Sequence, residues 1–198
     1  GKDSCVCRHL LQQAGCKYEA HYHVGIDPPE LVRFIREHHK ETIHDRASVH
    51  VFQYVKKAGM PWAGLRWCCK KLKEHHGRGR VKVLGVRKAE SPRRKLIWES
   101  WQEHPPIVCP IVHWQHNHVW QYIHENAIPY CELYDEGWER LGCVGCPLAG
   151  KRKRERDFAR WPVYERAWRR ALYALWASKD EKWREDHKQH GWTGPEDH

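Results

Sequence analysis

The feature that most restricts how this chain can fold is two cysteine pairs set far apart along it. Cys68 and Cys69 are adjacent within Arg66-Trp67-Cys68-Cys69-Lys70, while Cys143 and Cys146 lie within Gly142-Cys143-Val144-Gly145-Cys146-Pro147. The C-x-x-C spacing lets two thiolates reach one metal centre from a tight turn. Gly142 and Gly145 offer that turn backbone freedom, and Pro147 prevents it continuing as helix. Zinc-binding pairs are usually separated by about two to four residues, so a tandem pair suits zinc poorly. An iron–sulfur cube presents four separate iron corners and suits it better. The competing reading makes Cys68 and Cys69 small buried hydrophobic residues and leaves a role only to Cys143 and Cys146.

The remaining composition narrows the setting. The chain has 198 residues, the size of one domain with an appendage, and 40% of them are apolar, enough for a core despite a mean hydropathy of -0.88. Twelve tryptophans carry much of that apolar area. A formal charge of +10 implies an anionic partner, either nucleotide phosphates or nucleic acid. Nothing resembles a membrane span or a signal peptide, and nine cysteines without secretory context point to a reducing cytoplasm with metal-bound or unoxidised thiols. The 17 histidines are scattered; His113, His116 and His118 read as a surface and helix-start group rather than a metal site.

Along the chain, strand-like and helix-like segments alternate, which predicts a three-layer α/β/α fold with a mostly parallel sheet. Gly1-Lys2-Asp3-Ser4 opens a helix carrying Val6, Leu10, Leu11 and Ala14 and ending at Gly15. A helix start attracts anions, and Lys2 and Ser4 add a charge and a hydroxyl; the same four residues also make an ordinary N-cap. Residues 18–24 read as a strand, and Asp27-Pro28-Pro29 starts a second helix through Glu37. A strand is expected before Gly1, so the sequence reads as a fragment or as lacking its N-terminus. Ser48 can cap a helix to Lys57, closed by Gly59-Met60-Pro61, and residues 68–76 read as helical. Lys70, Lys71 and Lys73 either lower nearby thiol pKa values or form a solvated basic face. Residues 81–86 form an expected strand that runs into a basic loop, Arg87 to Arg94, at the sheet edge where α/β proteins bind ligands. Arginines there make a phosphate or sulfate clamp, unless the loop is merely solvated. Residues 107–112 form another strand, a helix starts at His116, and a long helix from Pro162 places Tyr164, Trp168, Leu172, Leu175 and Trp176 on one face. The basic run from Lys151 to Arg154 either contacts nucleic acid or is solvated, and the tail beyond Lys179 is polar.

Gly1-Lys2-Asp3-Ser4, the tandem cysteines, Val86-Arg87-Lys88-Ala89-Glu90-Ser91-Pro92-Arg93-Arg94 and Gly142-Cys143-Val144-Gly145-Cys146-Pro147 stand in one order. Together they resemble the phosphoadenosine phosphosulfate (PAPS) reductase family of the PP-loop adenine nucleotide alpha hydrolase-like superfamily. The likeness covers about residues 1–150, a nucleotide-binding domain with an iron–sulfur site; residues 151–198 read as a basic helical extension. It implies that Gly1, Lys2, Asp3 and Ser4 end the family's Ser-Gly-Gly-Lys-Asp-Ser loop, that Arg87 and Arg94 meet the substrate anion, and that Cys68, Cys69, Cys143 and Cys146 hold a 4Fe-4S cluster. Ile128-Pro129-Tyr130 and Leu133-Tyr134-Asp135-Glu136-Gly137 resemble the connector before the second cysteine pair. Two departures stand out. Gly25-Ile26-Asp27-Pro28 occupies the place of the family's adenine-contacting Asp-Thr-Gly segment, and no cysteine follows Cys146 to act as the attacking C-terminal thiol of the assimilatory enzymes.

The resemblance implies an enzyme binding an adenine nucleotide (PAPS, APS or ATP), with Asp3 as a contact for the nucleotide or for Mg2+. The cluster is expected beside the substrate. In a sulfonucleotide reductase a thiol reductant supplies the attack on sulfur. In the alternative, an ATP-dependent sulfurtransferase thiolates nucleic acid with a sulfur donor protein. A third reading is a non-enzymatic nucleic-acid module with zinc on the four cysteines. A homo-oligomer is compatible with each.

Overall fold

A computed structural model describes residues 1–189 apart from Ser48, His75, His76 and Arg78. In chain order it contains helices α1 (Lys2–Gln13), α2 (Pro29–His38), α3 (Val51–Ala58), α4 (Trp67–Cys69), α5 (Pro92–Ile97), α6 (His116–Glu125), α7 (Lys151–Arg160), α8 (Pro162–Ala177) and α9 (Glu181–Gln189). The strands are β1 (His21–His23), β2 (Ile43–Asp45), β3 (Lys82–Val83), β4 (Trp101–Gln102) and β5 (Ile107–Val108). The fold class is the α/β one that the alternation predicts, consistent with three α/β/α layers. None of the described helices is long and apolar enough to cross a membrane.

The chain forms two compact units: residues 1–22, 29–44 and 76–141 make the first, and residues 23–28, 45–75 and 142–198 the second. The C-terminal helices are therefore not a body of their own, because they fold with segments from much earlier in the chain.

In the first unit β3 pairs parallel to β5, with Lys82 opposite Ile107 and Val83 opposite Val108, and β4 closes the sheet antiparallel to β5. Both strands are shorter than their apolar runs predict. The ladder extends from β3 as far as the Leu84 N–H, which donates to the Val108 carbonyl at 2.9 Å, and a turn closed by Val112 N–H to the Cys109 carbonyl ends the second run. Ile111 and Val112 are fully buried all the same, so the apolar run marks burial rather than extension. The expected basic loop is also more regular than predicted. Arg87 leads into a 3-10 turn, Lys88–Glu90, and Ser91 caps α5 by accepting the Arg94 N–H at 3.2 Å, with Pro92 in the first turn. A Ser-Pro start to a short helix was the overlooked signal.

Helix α1 buries Cys5, Val6 and Cys7 and packs on α6, where His9 Nδ1 and the Tyr122 hydroxyl lie 2.9 Å apart. Just beyond α2, His39 sits between Arg8, whose guanidinium approaches its Nδ1, and Cys5, whose sulfur lies 3.5 Å from its Nε2. Burial, and then Arg8, pull the His39 pKa down to about 4 from an ordinary 6.5. Between those values the unfolded chain binds the extra proton, so stability falls as pH drops from about 6.5 to about 4. Allowing for partial solvent exposure, the expected loss is about 1–2 kcal/mol. Denaturant midpoints at pH 7 and pH 4.5 should differ accordingly, and His39→Gln should flatten the difference.

The second unit is held by a core of Ile26, Val51, Val55, Trp67, Cys68, Leu72, Trp168, Ala171 and Leu175. α3 packs on α8, with Phe52 edge-on to Trp168 at 5.0 Å between ring centres. The predicted stripe on α8 is partly confirmed, as Trp168, Leu172 and Leu175 are buried. α3 ends at Gly59, whose positive φ of 76° with ψ of 179° is a conformation that glycine alone adopts readily. Its expected cap, Ser48, lies outside the described residues. The expected helix over 68–76 is instead one α-helical turn followed by a π-helical turn, Lys70–Glu74; its predicted end falls outside the described residues. α7 and α9 lie within the basic helical extension expected over 151–198; their bounds were not legible, because charge-dense runs hide their apolar periodicity.

Candidate functional site

In the first unit the start of α1 lies against the chain leaving β3. A Cβ on Gly85 would stand 3.0 Å from the Asp3 carbonyl carbon, so a larger residue would push the start of α1 back by a few tenths of an ångström. Arg87, two residues on, is buried and donates from Nε to Asp3 Oδ1 at 2.6 Å. The other Asp3 oxygen faces Lys2 Nζ at 3.6 Å. Asp3 therefore has a cation on each carboxylate oxygen and ties α1 to the loop after β3.

Lys2, only 3% exposed, donates from Nζ to the Glu139 carbonyl at 3.0 Å, and its backbone N–H donates to the Tyr134 hydroxyl at 3.0 Å. Burial lowers its pKa, with Arg87 and Arg140 adding to the effect and Asp3 opposing it. Ser4 and Gly1 are exposed beside it. Arg94 pairs with Glu90, and the Glu90 carboxylate also accepts the Arg87 backbone N–H at 3.1 Å. Of the expected anion-binding residues, the structure brings Lys2, Asp3 and Arg87 together and gives Arg94 a carboxylate partner. Glu90, which organises both arginines, was missed; its position three residues after Arg87 was the available signal.

The second unit carries all four cysteines of the two pairs. Cys68 is buried at α4, and Cys69, Cys143 and Cys146 are half-buried. Cys69 and Cys143 pack on the core that contains Cys68. The Cys69 side chain hydrogen-bonds Cys68 and raises its pKa; burial and then the charges of Cys69 and Cys146 add to that shift. Burial raises the Cys143 thiol, helped by Asp27 and Cys146 and opposed by Lys73. Lys73 itself is raised: burial works against its charge, but Asp27, Cys143 and Cys69 together outweigh it. Each pair thus senses the other electrostatically, on one patch of this unit.

Nine cysteines form no disulfide among the described residues. Nor is any group of three or more described His, Cys, Asp or Glu residues set to hold a metal ion. A zinc cage needs four sulfurs about 2.3 Å from one point, and these thiols do not form one as placed. A cube takes each cysteine at a different iron corner, so it would need all four thiols of this unit to converge.

Several sequence expectations about this patch change. Lys70 and Lys71 are exposed and form the solvated face, leaving only Lys73 near the thiols, and the net effect on Cys68 and Cys143 is upward. Gly145, at φ 63°, is the glycine that the C-x-x-C turn requires, whereas a Cβ on Gly142 would meet open space. Gly25-Ile26-Asp27-Pro28 belongs to this patch: Ile26 accepts the Val144 N–H at 2.6 Å, and buried Asp27 lies 3.9 Å from Lys73 Nζ. Asp27 was read only as part of a helix start, since an isolated aspartate has no sequence signature.

A family model described as the phosphoadenosine phosphosulfate reductase domain matches residues 1–149. An uncharacterized Methanocaldococcus jannaschii protein, MJ0973, is 33% identical over 166 residues, 75% of this chain and 40% of that protein. A second protein of that organism, MJ0066, is 27% identical over 187 residues, 83% of this chain and 39% of that one. The adenosine 5'-phosphosulfate reductase of Bacillus anthracis is 33% identical over 103 residues, 48% of this chain and 45% of that enzyme. The chain spans about two fifths of the length of these curated relatives. With the domain match running from the α1 helix start through the second cysteine pair, the chain belongs to the phosphoadenosine phosphosulfate reductase family.

Proposed function

We propose that this chain is the nucleotide-binding and cysteine-bearing part of an enzyme acting on a sulfated adenine nucleotide, with a 4Fe-4S cluster held by Cys68, Cys69, Cys143 and Cys146. The observation that carries the nucleotide half is the contact of Gly85 with Asp3, which sets a helix start at the C-terminal end of a parallel strand. Helix starts at that edge bind phosphate groups through backbone N–H donors. Lys2 and Arg87 are two cations against the single carboxylate of Asp3 and leave the place net positive. Arg87 spends Nε on Asp3, and the terminal nitrogens of its planar fork suit a sulfate oxygen. When bound, the cluster supplies fixed charge and redox capacity, and Lys73 offsets its charge.

The reaction needs a nucleophilic thiol. That thiolate attacks the sulfate sulfur, an S–S bond forms, the S–O bond to the nucleotide phosphate breaks, and the nucleotide phosphate leaves. A second thiol then releases sulfite as a disulfide forms. Cys5, Cys7, Cys109 and Cys131 are buried, and burial raises each of their thiols, that of Cys7 to about 12. Cys16 is exposed, but it follows the far end of α1, roughly 17 Å of helix rise from Lys2. None of these five thiols is suited to the attack, so in this reading the nucleophile comes from outside the described residues, with a dithiol reductant as the electron donor in a reducing cytoplasm.

The second reading, ATP-dependent sulfur transfer to nucleic acid, draws on the exposed Lys151, Arg152, Arg156 and Arg160 of α7. There the nucleotide is ATP with Mg2+, and pyrophosphate leaves. Anaerobically purified protein supplied with thioredoxin-type dithiol should release sulfite from APS or PAPS and carry iron rather than zinc. Pyrophosphate release from ATP without sulfite release would overturn the reductase reading in favour of the second. Stoichiometric zinc with no nucleotide binding would overturn both.

A further inference from the structure

The turn between Cys143 and Cys146 is held by residues beyond the family-matched segment. Asp157, on α7, is 1% exposed, and its Oδ2 accepts the Gly145 N–H at 2.9 Å. Lys153, one turn earlier on the same helix, donates to both Asp157 oxygens at 2.9 and 2.7 Å and compensates the buried charge. From α8, Trp168 donates its indole N–H to the Val144 carbonyl at 3.3 Å. Val144 in turn donates its N–H to Ile26, and a Cβ on Gly145 would stand 2.2 Å from the Phe158 ring. The backbone between the two cysteines is thus fixed by α7, α8 and residue 26.

We infer that Asp157 is a positioning residue for Cys143 and Cys146, and that α7 and α8 form a clamp presetting the C-x-x-C turn for its cluster. The physical reason lies in the cost of ordering. A turn whose donors and acceptors are already satisfied gives up little further freedom when its thiolates are ligated. A carboxylate with one Lys partner holds a backbone N–H more tightly than a neutral acceptor would. Asparagine in its place keeps the acceptor and loses only the charge. The half-buried Lys153 ammonium can then turn to solvent.

The cluster side of this inference rests on the proposed function, whereas the clamp can be read without any metal. The experiment compares the native protein, Asp157→Ala and Asp157→Asn as apoproteins under reducing conditions. Alkylation of each cysteine is followed by mass spectrometry, and amide exchange is followed over residues 143–147. Asp157→Ala should accelerate alkylation of Cys143 and Cys146 about tenfold, the factor that about 1.4 kcal/mol of a lost charge-assisted hydrogen bond represents. Cys109 and Cys131, in the other unit, should be unchanged. Asp157→Asn should stay within about threefold of the native rate, since it retains the acceptor. Anaerobic reconstitution should then give the alanine variant less iron and a weaker cluster absorption, with asparagine restoring both.

If Asp157→Ala leaves Cys143 and Cys146 at native rates, or if asparagine is as damaging as alanine at those two cysteines, the clamp is wrong. If alkylation responds as expected but the native protein takes up no iron, the clamp stands and the cluster reading falls. Should the alanine variant not fold, the asparagine variant and Lys153→Met decide: unchanged alkylation and exchange at the turn in Lys153→Met would overturn the part given to the ion pair.

Discussion

Gly145→Ala is expected to destabilise the second unit by about 2–5 kcal/mol, through about 1–2 from an L-residue at a left-handed φ and about 1–3 from forced overpacking. Both contributions come from one position. Its φ is 63°, and an added Cβ would lie 2.2 Å from Phe158 Cε1, 2.5 Å from Phe158 Cζ and 3.0 Å from the Trp168 ring. Trp168 cannot retreat easily, because it is buried and gives its N–H to Val144, and the half-buried Phe158 ring has to shift. The same substitution at Gly142, where a Cβ meets nothing within 4 Å and φ is not positive, should cost less than about 1 kcal/mol. Chemical denaturation of the two variants provides the comparison, and iron content after reconstitution should fall only for Gly145→Ala. Equal effects at both glycines would show that the turn is not locked against α7 and α8.

Asp3→Ala carries the second large effect, about 3–5 kcal/mol, because it leaves two buried cations facing one another. The side chains of Lys2 and Arg87 are 4% and 5% exposed, and Asp3 is the carboxylate between them. Arg87→Met should cost less, since Asp3 then retains Lys2 and is itself 22% exposed. The double variant should be more stable than the sum of the single losses predicts, by about 1–3 kcal/mol of coupling. Nucleotide affinity separates the two roles of Arg87. If its terminal nitrogens meet the substrate sulfate, Arg87→Met should weaken APS binding by at least about tenfold while weakening AMP binding much less. Equal losses for both nucleotides would assign Arg87 to the architecture alone.

Part of this protein was legible in its sequence. The alternation of helical and strand-like segments indicated an α/β chain, and the glycines of the C-x-x-C turn indicated backbone freedom there, which Gly145 uses and Gly142 does not, because both signals are local properties of a few consecutive residues. The ordered motifs likewise pointed to the family, which the match over residues 1–149 shows. Strand ends were not legible. The apolar runs over 81–86 and 107–112 are buried, and burial imposes the same composition on a turn as on a strand.

What only the tertiary structure decided was which charges meet. Arg87 was expected as a displayed clamp and is instead buried against Asp3, 84 positions away in sequence. Lys70, Lys71 and Lys73 look alike in the sequence, yet only Lys73 reaches the thiols. Asp157 carries no motif at all, but among the described residues its buried carboxylate accepts the Gly145 N–H and pairs with Lys153. Residue type sets what a side chain is able to bind. The strength and direction of its electrostatics depend on distance and on exclusion of water, and those exist only once remote segments have packed together.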